Sequence, residues 1–344
     1  MDENISYSTS AQKEALINEL KGNLFEYLVG RRIAAQIDRE HQYITSLPSS
    51  FESQLKDYER WLLRNDRELV GRLPLLADST FHSLKESISN LKYDDVFLVG
   101  KISGGSHNNV WHEADLLLRH SRGGEEYPIS LKLCKANSFV NTKSAGIFSF
   151  VEKYFTSFSD HHRDQEELSS LARQSFWQMG HKLHSLAGLE FSGKFGLDWE
   201  EAGYDHLPGH LNEEMHQVLI DYYHQVISLI YQQLKRYWQS DRELFIRSIL
   251  PLMGMGQKNM IQAYCFHGDE IKNGITKRYL QKSIMVIDYD SVTESLTKVE
   301  FGELRSGLSS FEIDLLGATL QIRVKPMNRF TTPGLKINCS LKHR

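Results

Sequence analysis

Residues Ser103 to Ala145 read SGGSHNNVWHEADLLLRHSRGGEEYPISLKLCKANSFVNTKSA, and the reading of this stretch decides the fold. Asp115 opens an apolar run, Leu116-Leu117-Leu118. A Gly-rich turn follows, Arg122-Gly123-Gly124-Glu125-Glu126, and then a second apolar run with a lysine in its middle, Ile129-Ser130-Leu131-Lys132-Leu133. Two short apolar runs about a glycine turn predict a β-hairpin. Alternate side chains of a strand share a face, so Ser130, Lys132 and Cys134 point one way and Ile129, Leu131 and Leu133 the other. If the strands pair antiparallel, Asp115 and Lys132 approach each other at one end of the sheet.

That pairing has chemical consequences. A carboxylate at a strand end can bind a hard cation such as Mg²⁺, which keeps several waters and takes phosphate oxygens as further ligands. An ammonium beside it can stabilise developing negative charge or orient an attacking water. A lysine inside an apolar strand is costly without a partner or a task. The plain alternative is an edge-strand lysine facing water.

Working outward, the chain before the hairpin is helical in pattern. Ala11 to Ile37 predicts an amphipathic helix, with Leu16, Leu20, Leu24, Leu28 and Val29 on one face. Gly22 and Gly30 weaken it, which leaves one long helix or two segments. Glu26 lies off the main apolar stripe, where a solvated glutamate is the plain reading. Arg39 to Asn65 predicts helix anchored by Phe51, Tyr58 and Trp61, and a loop through Pro74 follows. Asp78 or Ser79 then caps a short helix bearing Phe81, Leu84, Ile88 and Leu91. Val96 to Val99 predicts a strand, ended by Gly100.

After the hairpin the pattern predicts helices from about Lys143 to Phe158 and from Gln165 to Leu189. A loop or boundary spans Gly193 to Gly209. The strongest helix runs from Leu211 to Trp238, and a shorter one from Asp241 to Leu250 stops at Pro251. From Met260 the pattern turns to strands: Ile261 to Phe266, Ser283 to Ile287, Ser295 to Phe301, Thr319 to Val324 and Leu335 to Leu341. The expected class is therefore α+β, a small sheet with helices, a helical insertion and a β-rich C-terminal part.

Composition sets the bounds. The chain has 344 residues, 40% hydrophobic and 24% charged, enough for one large domain or two. Its three cysteines, Cys134, Cys265 and Cys339, lack the number and spacing of a disulfide framework or a metal site, which points to a reducing, cytoplasmic setting. The first residues are polar and acidic, unlike a signal peptide, and no apolar run is long enough to span a bilayer, so no membrane partner is expected. A net charge of −4 argues against a purely electrostatic polyanion binder but leaves room for a local footprint. Among 15 histidines, His181 with His184 and His161 with His162 stand close in sequence, without the cysteines or carboxylates of a recognisable zinc site. Phosphate-loop and G-x-S-x-G motifs are missing from the sequence, and Gly254 and Gly256 mark a turn after a helix.

Two segments have the side chains for phosphate and base contacts. Lys135, Asn137, Asn141, Thr142, Lys143 and Ser144 precede the helix expected from Lys143, whose N-terminus could itself receive a phosphate; the alternative is a polar connection with an ordinary cap. Beyond Asp314 the sequence has no acidic residue, while Arg323, Lys325, Arg329, Lys336, Lys342 and Arg344 remain, interleaved with Gln321, Asn328, Thr331, Thr332 and Asn338. This is a candidate nucleic-acid face, or else a solvated edge.

The hairpin resembles the PD-(D/E)xK nuclease superfamily, which includes most type II restriction endonucleases. Asp115 matches the first acid of that signature and Lys132 its lysine. Glu26, within Asn23-Leu24-Phe25-Glu26-Tyr27-Leu28-Val29, resembles the glutamate often found on the preceding helix, and Gly104-Gly105-Ser106 resembles the approach to the acid. Ser130 stands where the family has a second acid. The second metal ligand is therefore left among Glu26, Glu113 and Ser130 through a water. The resemblance covers about a third of the chain.

What the resemblance implies is a restriction-endonuclease-like core, a small mixed sheet flanked by helices. The expected division is a nuclease core with N-terminal helices over residues 1–190, a helical region over 191–258 and a basic, β-rich DNA-contacting region over 259–344, the three as one continuous domain or separate. The implied activity is Mg²⁺-dependent hydrolysis of duplex DNA by a homodimeric type II restriction endonuclease. Asp115 and Glu26 would bind metal, and Lys132 would act on the water or the phosphate, with Ser130 beside them. Lys135, Asn137, Asn141, Lys143, Arg323, Lys325, Asn328, Arg329 and Lys336 would contact DNA. The rival is a DNA-binding or defence-complex subunit that keeps the fold with a decayed site. A helical interaction scaffold, the third class, leaves Lys132 without a reason.

Overall fold

The computed structural model describes residues 10–99, 114–296, 298–326 and 329–343. Gly100, Gly104 to Ser106, Glu113, Asn328 and Arg344 lie outside the described residues. The chain divides into two compact units, Met1–Ser138 with Gln257–Val292, and Phe139–Gly256 with Thr293–Arg344. The strands after Met260 are divided between the two units.

In the first unit α1 (Ser10–Gln36) is a single helix. Leu20, Leu24, Phe25, Val29 and Ile33 bury one face of it. Of one helix or two segments the single helix holds, and packing gives the reason at Gly30. A Cβ on Gly30 would fall 2.3 Å from the Tyr43 hydroxyl and 2.8 Å from a Leu116 methyl, so glycine lets the helix lie close to the sheet. Short α2 (Glu40–Thr45) and α3 (Ser49–Asn65) follow, with Pro48 just ahead of α3. Asp66 then caps α4 (Arg67–Ile88), its side chain accepting from the Leu69 amide at 3.2 Å. The expected loop through Pro74 is helix instead. The buried stripe of Leu69, Leu73, Leu76, Ala77, Thr80, Phe81, Leu84 and Ile88 runs straight past the proline, and its burial outweighs the lost backbone bond.

The sheet of this unit has the order β1-β2-β3-β5-β6, comprising β1 (Asp95–Leu98), β2 (Leu116–Arg119), β3 (Tyr127–Lys135), β5 (Ile261–Lys272) and β6 (Ile275–Asp288). It is mixed: β1, β2 and β3 are successively antiparallel, β5 is parallel to β3, and β6 is antiparallel to β5. Leu116, Leu118, Ile129, Leu131, Ala263 and Cys265 join the apolar cluster formed with α1, α3 and α4, so the helices cover that face. The expected β-hairpin is present, with Leu116 opposite Ile129 and Leu118 opposite Tyr127.

The second unit has its own antiparallel sheet, ordered β4-β10-β9-β8-β7. Its strands are β4 (Val140–Gly146), β7 (Val299–Phe301), β8 (Ser310–Leu315), β9 (Ala318–Pro326) and β10 (Leu335–His343). The helix expected from Lys143 is corrected here. Val140 to Gly146 is a strand paired with β10, and α5 (Phe150–Tyr154) begins only after a single 3₁₀ turn. The pairing partner lies some two hundred residues along the chain, so local pattern could not reveal it. Helices α6 (His161–Leu186), α7 (Leu197–Glu201), α8 (Glu213–Ser240) and α9 (Arg242–Ile249) complete the unit. Buried Asp164 ties α6 to α8 by accepting from Tyr237 Oη (2.7 Å), Gln233 Nε2 (3.1 Å) and Arg236 Nη2 (2.9 Å). The strand expected from Ser295 shortens to β7, since Tyr289–Ser295 forms α10. With helices and two separate sheets the chain is α+β, as expected.

Candidate active site

Asp115 is held by backbone on both sides. Its amide donates to the Ile129 carbonyl (2.8 Å), and its carbonyl accepts from the Val99 amide (3.0 Å). The side chain is thus fixed at the mouth of the hairpin. Its Oδ2 accepts from the Leu131 amide at 2.6 Å, from Ser130 Oγ at 3.3 Å and from Lys132 Nζ at 3.5 Å. Oδ1 makes no hydrogen bond among the described residues. The carboxylate is therefore oriented through one oxygen, with the other left for a ligand.

Lys132 forms the ion pair with Asp115 that the alternation predicted, and the two side chains are 28% and 15% exposed. Such a partly buried pair keeps more of its Coulomb attraction than a surface pair. Burial works to lower the lysine pKa, but the charges of Asp115 and Glu26 and the hydrogen bond to Asp115 outweigh it, and the net shift is upward. Lys132 is accordingly an ammonium at neutral pH. Glu26 belongs to this site electrostatically: it lies half-buried on α1, and its charge acts on Lys132.

Ser130 is 2% exposed and contributes a hydroxyl, not a charge. Burial pushes the thiol of Cys134, two residues beyond Lys132, up to about 12, so it is protonated near neutral pH. The sequence reading missed Gln262 and Tyr264. They stand in register beside Ser130 and Lys132 on β5, both buried, with Tyr264 Oη donating to Gln262 Oε1 at 2.6 Å. The signal was the one used for Lys132, a polar residue alternating within an apolar strand, here in Ile261-Gln262-Ala263-Tyr264.

Mg²⁺ suits this donor set. Among the described residues no group of three or more His, Cys, Asp or Glu side chains could cage a metal. Magnesium, however, is commonly bound by one or two carboxylates, with waters and substrate phosphate completing its shell. Asp115, whose Oδ1 makes no hydrogen bond among the described residues, could serve in that mode, with Glu26, whose charge acts on Lys132, as the second carboxylate; Glu113 lies outside the described residues.

The residues expected to contact DNA separate into groups. Lys135 ends β3 and Asn137 lies just past it, both exposed and both in the first unit. Asn141 and Lys143 belong to β4 of the second unit, where Asn141 Oδ1 accepts from Ser340 Oγ at 2.8 Å. They sit on a strand, so the helix N-terminus expected to hold a phosphate there is absent. Arg323, Lys325 and Lys336 are exposed on one face of the second sheet, Lys325 directly across from Lys336 and Arg323 across from Asn338. Arg329 is exposed outside the strands. No helix among the described residues is long and apolar enough to cross a membrane.

No family model matches this chain, and neither a curated protein nor a solved structure matches it.

Proposed function

We propose that the chain is a Mg²⁺-dependent endodeoxyribonuclease of the PD-(D/E)xK kind, a type II restriction endonuclease acting on duplex DNA as a homodimer. The observation that carries the reading is Asp115, fixed by the Leu131 amide and paired with Lys132 at 3.5 Å, beside the charge of Glu26. The mixed sheet flanked by helices supports it, as does the match of these residues to an acid, a hairpin lysine and a helix glutamate.

In this reading Asp115, with Glu26, would hold the cation, which would supply Lewis-acid charge at the scissile phosphate. Lys132 is protonated, so it does not take the proton of the attacking water. Its ammonium orients that water and stabilises the charge that grows on the phosphoryl oxygens. Ser130 and the Leu131 amide keep the carboxylate aimed. Lys135 and Asn137, on the same unit as Asp115, would bind phosphates, as would the Arg323, Lys325 and Lys336 face of the second unit. A two-fold dimer would match a palindromic site.

The rival reading, a DNA-binding subunit with a decayed site, is favoured by one observation, the neutral and buried Ser130 where a second acid belongs. Digestion of mixed-sequence plasmid DNA with Mg²⁺ and with EDTA separates the two. A nuclease gives discrete metal-dependent fragments that disappear in Lys132→Ala. Intact DNA in Mg²⁺, with binding retained in EDTA, would establish the rival.

A further inference from the structure

The two longest strands of the first sheet outrun it. β3 pairs with β5 only from Ile261 to His267. Beyond that point β5 has β6 as its sole ladder partner among the described residues, with Glu270 opposite Lys277, Ile271 opposite Thr276 and Lys272 opposite Ile275. Asn273 and Gly274 close the hairpin with φ of 54° and 74°, the left-handed pair that a tight two-residue turn requires. The result is a two-stranded ribbon in which residues 269–278 are all exposed.

Its base is fastened. Tyr279 is 7% exposed and donates to Asp66 Oδ2 at 2.5 Å, Arg278 pairs with the same carboxylate at 3.2 Å, and the Arg278 amide donates to Glu68 at 2.7 Å. The tip is different in character. Ile271 and Ile275 are 78% and 65% exposed, which a solvated hairpin does not need. The acids of the ribbon are engaged within it: Glu270 pairs with Lys282 at 2.5 Å, and Asp269 accepts from the Tyr279 amide at 3.3 Å. Lys272 and Lys277 make no ion pair among the described residues. From 269 to 282 the ribbon has four cations, Lys272, Lys277, Arg278 and Lys282, against two carboxylates, Asp269 and Glu270.

We infer that this ribbon is an arm that enters the major groove of duplex DNA tip first, with Lys272 and Lys277, which share a face with Ile275, at the flanking phosphates, and with Asn273 and the two isoleucines, on opposite faces of the ribbon, toward the base edges. The groove admits a two-stranded ribbon, its phosphates complement the unpaired lysines, and thymine methyl groups offer contacts for exposed isoleucines. The inference rests on the DNA reading above and extends it to a substrate-reading element of the same sheet. Lys132 stands in register with Tyr264, and Ile271 lies seven residues further along β5. At about 3.3 Å per residue Ile271 lies at most about 23 Å past the candidate site, roughly seven base-pair steps along a duplex.

The test is fluorescence anisotropy of the full chain with labelled duplex in EDTA, across a salt series. Lys272→Gln with Lys277→Gln should weaken binding about tenfold near physiological salt and reduce the salt slope by about 2. Ile271→Ser with Ile275→Ser should reduce the preference among duplex sequences. The inference is overturned if both double variants bind like wild type or if wild type binds no duplex. It is also overturned if the isoleucine variant only converts a dimer to a monomer in sedimentation, since the tip then docks a second copy. Metal-dependent cleavage by ribbon variants with unchanged DNA affinity removes the arm and leaves the nuclease standing. Ribbon-dependent binding without cleavage in Mg²⁺ does the reverse.

Discussion

Lys132 keeps its charge because Asp115 and Glu26 oppose the effect of burial, so its protonation reports on its neighbours. In Asp115→Asn the largest favourable charge is gone, and burial should then bring the lysine pKa below its wild-type value. An NMR titration of the Lys132 ammonium checks this, and an unchanged value would separate the two side chains in solution. Another residue titrates against the fold. His267 is 5% exposed and neither ring nitrogen has a hydrogen-bond partner among the described residues. Burial, helped by the charges of Lys21, Lys135 and Arg278, lowers its pKa from 6.5 to about 4. Below pH 6.5 the unfolded chain takes up a proton that the native imidazole refuses, so stability falls as pH drops from 6.5 toward 4. At pH 5 the loss is about 2 kcal/mol. Urea unfolding at pH 7 and pH 5 should show a drop smaller by that amount in His267→Phe than in wild type. At this scale the sequence was informative where alternation alone decides: Asp115 and Lys132 could be paired from the hairpin. Gln262 and Tyr264 show the same alternation, but their place beside Ser130 and Lys132 is created by a parallel pairing between strands more than a hundred residues apart, which the sequence does not show.

Among elements, glycines and prolines misled where tertiary packing overrides local preference. Gly30 reads as a weak point in α1, yet a Cβ there would run into Tyr43 and Leu116, the residue after Asp115. Gly30→Ala gains up to about 1 kcal/mol of helix propensity but overpacks a closed contact, for a net loss of about 1–2 kcal/mol. Gly71, exposed on α4 with open space around it, is the control. Gly71→Ala should stabilise by about 0.5–1 kcal/mol. Thermal unfolding of the two variants should move in opposite directions; a shared direction would mean that propensity alone governs both. Pro74 likewise sits inside α4, where the buried leucine stripe, visible in the sequence, was the better guide. Strand β4 was illegible, since Val140 to Gly146 becomes a strand only by pairing with β10.

For the whole molecule, helices around a small sheet were legible as α+β, and the division into units was not. The first unit borrows β5 and β6 from the C-terminal third and the second unit recruits β4 from the centre. Pairings of such sequence separation leave no trace in composition. They also divide the expected DNA contacts, Lys135 and Asn137 going with the candidate site and Asn141 and Lys143 with the second sheet. Binding and chemistry should therefore come apart in variants of the second unit. Lys325→Gln with Lys336→Gln should weaken duplex affinity and lower the salt slope by about 2 while leaving the cleavage rate of bound DNA unchanged. Affinity measured beside single-turnover cleavage checks it, and a fall in the chemical rate with unaltered affinity would count against a purely phosphate-binding face.

The most direct measurement is single-turnover cleavage of an end-labelled DNA fragment by wild type, Asp115→Asn and Lys132→Ala, in Mg²⁺ and in EDTA. A metal site at Asp115 served by the Lys132 ammonium predicts fragments of defined length from wild type in Mg²⁺ alone, with each substitution slowing cleavage by about 10²–10³-fold or more. Fragments that persist in EDTA, or at wild-type rate in either variant, would contradict it.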